Sequence, residues 1–226
     1  MYKFFKKLKN TKNKKSGMTL IELMVVLVIF IIVAGLTIFD YSKFRSTASL
    51  QNLADDIALS VRRAQNYAIG VKGSQSSFTN GYGIRFLTTP PNGADVRAGS
   101  NKTFIIFNDL NPNQKYDYLT SASNICDSGT LSSSDECIDM LNIASADTIS
   151  SICVYESGNS TCTPLVNGYA DITFYRPDPD AHICAATAGF SCVNDQYSSV
   201  DVVIKNTENQ SIKTINISNV GQINIK

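Results

Sequence analysis

Residues 14–39 read KKSGMTLIELMVVLVIFIIVAGLTIF, and this stretch decides how the chain is organised. Residues 18–39 form an apolar run of 22 residues that contains one charge, Glu22. As an α-helix with a rise of about 1.5 Å per residue, this run would span about 33 Å, close to the roughly 30 Å of a bilayer's hydrocarbon core. We therefore expect residues 18–39 to be a transmembrane helix.

The residues before this run carry a strong positive charge. Residues 1–17 hold seven lysines and no acidic residue, whereas the rest of the chain has 13 basic and 19 acidic side chains. Because lysines flank the cytoplasmic side of membrane helices, residues 1–17 are predicted inside and the chain after Phe39 outside. The acidic body argues against nucleic acid as a partner, since phosphate binding needs clustered Lys and Arg.

Gly17 and Glu22 are the unusual residues of this region. In a cleaved secretory signal, the small residues at the cleavage site follow a short apolar stretch; here Gly17 precedes a long one, so the apolar helix would stay with the mature protein. A carboxylate within an apolar helix is costly and indicates a function. A cut between Gly17 and Met18 would create a terminal amine about one helical turn from Glu22, and neighbouring copies could pair the two charges.

The segment from Lys14 to Val26, with its basic leader, glycine, glutamate and apolar run, resembles the prepilin-type motif of type IV pilins and type II secretion pseudopilins. The resemblance implies that a prepilin peptidase cuts after Gly17, that Met18 becomes N-methylated and that Glu22 supports filament assembly. It further implies partners: other pilin or pseudopilin subunits through the N-terminal helix, the peptidase, and an assembly platform in the inner membrane.

The membrane helix is predicted to continue outward. No proline occurs in the first 89 residues, and an apolar stripe at helical spacing runs through Leu53, Ile57, Val61, Ala64 and Ala68. Gly70 is a plausible stop, so one helix is expected from residue 18 to about 69. The expected domains are a leader (1–17), a transmembrane or filament-core helix (18–39), an amphipathic extension (40–72) and an extracytoplasmic body (73–226).

The body is predicted to be rich in β-strands, which gives an α+β fold with the long helix packed on an antiparallel sheet. The predicted strands are Tyr82–Leu87, Thr103–Asn108, Ile149–Tyr155, Tyr169–Arg176, Val200–Asn206, Ile212–Ile217 and Gln222–Lys226. Residues 50–69 and the ending, residues 215–226, look like the corresponding parts of H-type minor pseudopilins and related minor pilins. In DNA-uptake members of that group the ending tends to carry arginines, and here Gln222, Asn224 and Lys226 stand there.

The cysteines indicate disulfides formed in an oxidising compartment. All six lie between residues 126 and 192 without a CxxC pair, which argues against a zinc site and against redox catalysis. Six cysteines allow fifteen pairings. We favour the local set, namely Cys126–Cys137, Cys153–Cys162 and Cys184–Cys192.

Catalytic and cofactor motifs are missing from the sequence. It has no GxSxG, HExxH, Walker loop or dinucleotide fingerprint, and its one histidine, His182, is expected in a loop. Two acidic clusters could bind a structural calcium ion, but we favour the interpretation that they are solvent-exposed loops without a metal. They comprise Asp127, Asp135, Glu136 and Asp139, and Asp178 with Asp180.

The function expected from these observations is structural rather than enzymatic, with no cofactor. The chain would be a minor pilin or pseudopilin, single-pass in the cytoplasmic membrane and later part of a periplasmic or cell-surface filament. The alternatives are a surface adhesin or a DNA-uptake minor pilin at the filament tip. Whether the filament belongs to a type IV pilus or a type II secretion system stays open.

Overall fold

A computed structural model describes residues 17–70, 80–89, 98–118, 126, 136–178, 180–187, 196–207 and 211–226. Its one α-helix in these ranges, α1, runs from Leu20 to Ile69. This matches the prediction of a single proline-free helix ending near residue 69. The chain divides into two units, one up to Ser42 and one from Lys43 to Lys226.

The described part of the first unit consists of Gly17 to Thr19 and the first half of α1. Its large apolar side chains are exposed, among them Leu20 (77%), Phe30 (68%) and Leu36 (67%). The side chains of residues 37–40 and 42 lie outside the described set. Among the described residues, no helix meets the length and apolarity that are required of a membrane span.

The second unit carries ten described strands in two antiparallel sheets. The first sheet has the order β3-β2-β1-β6-β7 and the second has the order β10-β9-β8-β4-β5. The strands are β1 (Gly81–Leu87), β2 (Thr103–Asp109), β3 (Cys137–Asn142), β4 (Asp147–Glu156), β5 (Thr163–Leu165), β6 (Tyr169–Phe174), β7 (Ala181–Ala186), β8 (Tyr197–Asn206), β9 (Ile212–Ser218) and β10 (Ile223–Ile225).

The α+β fold was predicted correctly, but its sheet arrangement was not. Each of the seven predicted strands corresponds to an observed one, whereas β3, β5 and β7 were not predicted. The body also contains two described sheets where one was expected. Residue His182, expected in a loop, lies on β7, and its ring meets Tyr175 edge to face with 5.3 Å between the centroids.

The second half of α1 packs into the core of the body, as its apolar stripe predicted. Leu53, Ile57, Val61, Ala64 and Ala68 are all buried. They belong to one apolar cluster with residues of both sheets, such as Ile84 and Ile172 of the first sheet and Ile152, Val202 and Ile215 of the second. Burying this stripe removes apolar surface from water, which is the main force that holds the helix to the sheets.

Polar contacts fix the same half of α1. The Ser49 hydroxyl donates to the buried Asp147 carboxylate at 2.8 Å. Near the end of α1, the Arg176 side chain donates to the carbonyl oxygen of Ala68 at 3.0 Å and so satisfies one of the free carbonyls of the last turn. These contacts hold the helix against the strands at both ends of its buried stripe.

Two disulfides lie within the described residues and agree with the favoured local pairing. They are Cys126–Cys137, with Cα atoms 5.1 Å apart, and Cys153–Cys162, with Cα atoms 5.6 Å apart. Cys184 is also disulfide-bonded. Its predicted partner, Cys192, lies outside the described residues, so the pairing of these two cysteines stays a prediction.

Candidate functional site

The candidate site is the start of α1. Gly17, Met18 and Thr19 precede the helix, which begins at Leu20. The Thr19 hydroxyl oxygen accepts the backbone N–H of Glu22 at 3.3 Å, and the Thr19 carbonyl accepts the N–H of Leu23 at 3.1 Å. Thr19 is therefore the N-cap, and the peptide bond between Gly17 and Met18 lies just outside the helix, at exposed residues.

Glu22 occupies the first turn of α1. Three residues after a threonine N-cap, it takes the position that glutamate holds in a capping box, where a negative charge also complements the helix dipole. Its side chain is exposed, and none of the ion pairs among the described residues includes it. The structure therefore places an exposed carboxylate in the first turn of α1.

Gly17 has open space around it among the residues that the structure describes. A Cβ atom built at this position would meet no other atom within 4 Å. The same holds for Gly35 in the middle of the apolar half of α1. Packing against the described residues therefore does not require a glycine at either position.

The first unit exposes apolar side chains on all sides of its helix. From Leu20 to Leu36, every leucine, isoleucine, valine, methionine and phenylalanine is at least 49% exposed. Helices that are apolar all round are normally buried in a core or a membrane. The described residues leave this apolar surface uncovered.

A comparison with protein families places a known motif on this site. Residues 12–38 match the family model described as the prokaryotic N-terminal methylation motif. The match indicates a prepilin-like chain of the type IV pilin and pseudopilin kind. The matched span contains Gly17, Met18 and Glu22, and it ends before the second unit begins. Searches of curated proteins and of solved structures found no significant match.

A buried ion pair in the body was not predicted from the sequence. Arg85 on β1 donates to the Asp171 carboxylate on β6 at 3.0 Å, and the two side chains are 8% and 0% exposed. The guanidinium also lies 4.4 Å from the centroid of the Tyr169 ring. Complete burial raises the pKa of Asp171 to about 6, and the Arg85 charge opposes this rise. Asp171 is therefore ionised and paired at neutral pH.

Two more buried acidic side chains, Asp109 and Glu136, hold the segment that follows β2. Glu136 accepts the backbone N–H groups of Leu110 at 2.9 Å and Asp117 at 2.7 Å. Asp109 accepts the N–H groups of Asn113 and Gln114 at 3.2 and 2.8 Å. Burial raises the pKa of Glu136 to about 8. Because Asp109 at the end of β2 and Glu136 just before β3 both accept hydrogen bonds from the backbone of residues 110–117, they fix this segment beside the first sheet.

The acidic residues considered for calcium are scattered in the described structure. Asp139 pairs with Arg63 at 2.8 Å, Glu136 binds backbone N–H groups, and Asp178 and Asp180 are exposed. The described ranges contain no group of three or more metal-ligating side chains. Asp127 and Asp135 lie outside the described residues.

Proposed function

We propose that the chain is a structural subunit of a type IV pilus or type II secretion filament. A prepilin peptidase cuts it after Gly17, Met18 is N-methylated, and the subunit assembles through Glu22. One observation carries the proposal. The matched motif, residues 12–38, contains an exposed peptide bond, Gly17–Met18, just before α1, and the exposed apolar start of α1 bears a single carboxylate, Glu22.

Before assembly, the apolar half of α1 anchors the subunit in the cytoplasmic membrane. The lysine-rich leader stays in the cytoplasm and the disulfide-bonded body lies outside, as the positive-inside rule and the cysteines both favour. After assembly, the same surface is covered by the helices of neighbouring subunits. A surface that is apolar all round suits both environments.

Glu22 gives assembly its register. The new amine at Met18 and the Glu22 carboxylate lie four residues apart, so the amine of one chain reaches the carboxylate of a neighbour when the two helices are staggered slightly. Either charge left unpaired in a low-dielectric filament core would cost several kcal/mol, which disfavours other registers.

Within the family, we place the chain among minor pilins or pseudopilins of the H type. Support comes from residues 50–69 of α1 and from the closing β9–Gly221–β10 element, where Gly221 has a positive φ of 74° and Gly221 N–H bonds back to Ser218. The disulfide-bonded body agrees with a subunit that differs from its abundant neighbours.

The proposal is tested by a Glu22→Gln variant of the full chain, expressed with a prepilin peptidase and an assembly system. We expect processing to continue and incorporation into sheared filaments to fall to background, because the amide removes the charge that pairs with the amine. Glu156→Gln is the matched control, since Glu156 is also an exposed glutamate and lies in the second unit. Equal incorporation of both variants would refute the role of Glu22.

A further inference from the structure

The turn of α1 at the start of the second unit is exposed on all sides. Lys43, Phe44 and Arg45 are all exposed, and the Phe44 side chain keeps 72% of its surface. Successive residues of an α-helix point about 100° apart, so these three side chains point in different directions and surround the helix. Ser46, the next residue, is only 7% exposed. We call residues 43–45 the collar, because they ring α1 just before the body covers it.

The two cations of the collar have no acidic partner in the described chain. None of the ion pairs among the described residues includes Lys43 or Arg45. Between positions 40 and 54, the sequence has these two cations and one acidic residue, Asp40, so the net charge of this stretch is +1. The collar therefore combines uncovered positive charge with an uncovered phenyl ring.

The sequence places the collar at the edge of the predicted membrane span. Phe44 lies five positions after Phe39, the last residue of the apolar run, which is about 7.5 Å along a helix. Headgroups extend a bilayer by about 5–8 Å on each side of its hydrocarbon core. Tyr41 lies between these two positions and is 66% exposed, and tyrosine is enriched at this depth of a membrane. When residues 18–39 span the hydrocarbon core, the collar thus lies at the level of the headgroups.

Phospholipid headgroups match the chemistry of the collar. Their phosphate anions accept charge-assisted hydrogen bonds from lysine and arginine, and the planar arginine fork can bind two oxygens at once. The long apolar stems of both residues let the charged ends reach phosphates while the phenyl ring lies against acyl chains. Lipids surround a helix on all sides, so they suit cations that point in different directions around α1.

Membrane topology does not account for these two cations. Lysines and arginines are normally enriched on the cytoplasmic flank of a span, and the leader already carries seven lysines there. Lys43 and Arg45 lie on the opposite flank, where the same rule disfavours them. A contact with anionic lipid gives them a function at that position.

We propose that the collar binds the phosphate groups of anionic phospholipids on the outer face of the cytoplasmic membrane. The contact holds the subunit at a fixed depth before assembly and is lost when the subunit enters the filament. Each copy makes the contact alone, so it suits a minor subunit. This inference rests on the proposed function, because it requires the membrane-anchored stage that precedes assembly.

The test measures the fluorescence of a single tryptophan in the full chain, reconstituted in lipid vesicles. The sequence contains no tryptophan, so Thr47→Trp introduces a unique probe and leaves the collar intact. Thr47 is exposed and lies three residues after Phe44. The vesicles consist of phosphatidylglycerol with phosphatidylethanolamine, or of phosphatidylcholine alone, and each contains the same share of a phosphatidylcholine brominated near its headgroup. We expect bromine to quench the tryptophan more strongly in the anionic vesicles.

Removal of the two cations tests their part in this difference. Lys43→Gln/Arg45→Gln, added to the tryptophan variant, should abolish the difference between the two lipid compositions. Each cation near an anionic surface contributes about fivefold, so two cations shift the equilibrium between bound and free collar by about 30-fold. The matched control is Lys205→Gln/Lys213→Gln, which removes the same charge from β8 and β9 and should leave the difference unchanged. Equal effects of the two pairs would overturn the inference, because they would show a response to net charge alone.

The Thr47→Trp variant tests the inference even before any charge is removed. A helix that only passes through the headgroup layer would be quenched equally in both lipid compositions, and that result overturns the inference. Asn66→Trp is the depth control, since Asn66 is exposed and lies 22 positions, or about 33 Å of helix, beyond Phe44. Quenching as strong at position 66 as at position 47 would also overturn the inference, because the contact would not be confined to the collar.

Flotation of the same vesicles separates the two proposals. Chains that float with the vesicles but show no lipid-dependent quenching overturn the collar inference alone. Chains that do not float with vesicles of either composition contradict the membrane-anchored stage of the proposed function, and the collar inference fails with it.

Discussion

The Ile57→Ala substitution tests whether the second half of α1 belongs to the core of the body. Ile57 is 0% exposed and lies in the apolar cluster that includes residues of both sheets. Replacing a buried isoleucine by alanine costs about 2–5 kcal/mol, through lost burial and the cavity left behind. Because this site is completely enclosed, we expect a loss of about 3 kcal/mol in the free energy of unfolding.

The measurement is urea unfolding of the full chain in detergent micelles, followed by circular dichroism. With an m-value of about 2 kcal/mol/M, the expected loss lowers the urea midpoint by about 1.5 M. Leu59→Ala is the matched control, since Leu59 lies on the same helix, loses a side chain of the same size and is 66% exposed. We expect it to change stability by less than about 0.5 kcal/mol. Equal shifts for both variants would refute the packing of α1 on the sheets.

Two further predictions use the same unfolding measurement. Arg85→Met should lower the free energy of unfolding by about 3–5 kcal/mol, because it leaves the buried Asp171 carboxylate without its ion-pair partner. The control is Arg63→Met at the exposed pair with Asp139, which should lower it by less than about 1 kcal/mol. Equal losses for the two variants would contradict the buried pair. The free energy of unfolding should fall as the pH rises from 6 to 8, by at most about 1.4 kcal/mol per pH unit. The reason is that the pKa of Glu136 is raised to about 8 in the folded chain, so folded Glu136 holds a proton that the unfolded chain has released. Glu136→Gln should flatten this slope, and a wild-type stability that rises over the same range would contradict the burial of Glu136.

Local patterns predicted the elements that have a clear period of their own. The apolar stripe and the absence of proline predicted α1 and the residues it buries, and alternation predicted the strands at the end of the chain. Three strands were missed for identifiable reasons. β5 is three residues long and contains Pro164, while β7 has the sequence AHICAA, whose alanines are poor strand formers. β3 follows a polar, serine-rich stretch and contains no β-branched residue except Ile138.

The number of sheets depends on pairings that no local pattern encodes. β1 pairs with β6, which follows it by more than eighty residues, and β4 pairs with β8. The same distance in sequence concealed the Arg85–Asp171 pair, because its two residues come from those separate strands. By contrast, the candidate site at Gly17, Met18 and Glu22 is contained in one short segment, and its residues could be singled out from the sequence alone.

The most direct test of the account is the N-terminus of the mature protein. The full chain is extracted from membranes of cells with an active prepilin peptidase, its N-terminal residue is sequenced and its intact mass is measured. We expect chains that begin at Met18 and carry one added methyl group. Chains that begin at Met1 in the presence of the active peptidase would contradict the account, and the protein would then be an anchored surface domain in which Glu22 serves another purpose.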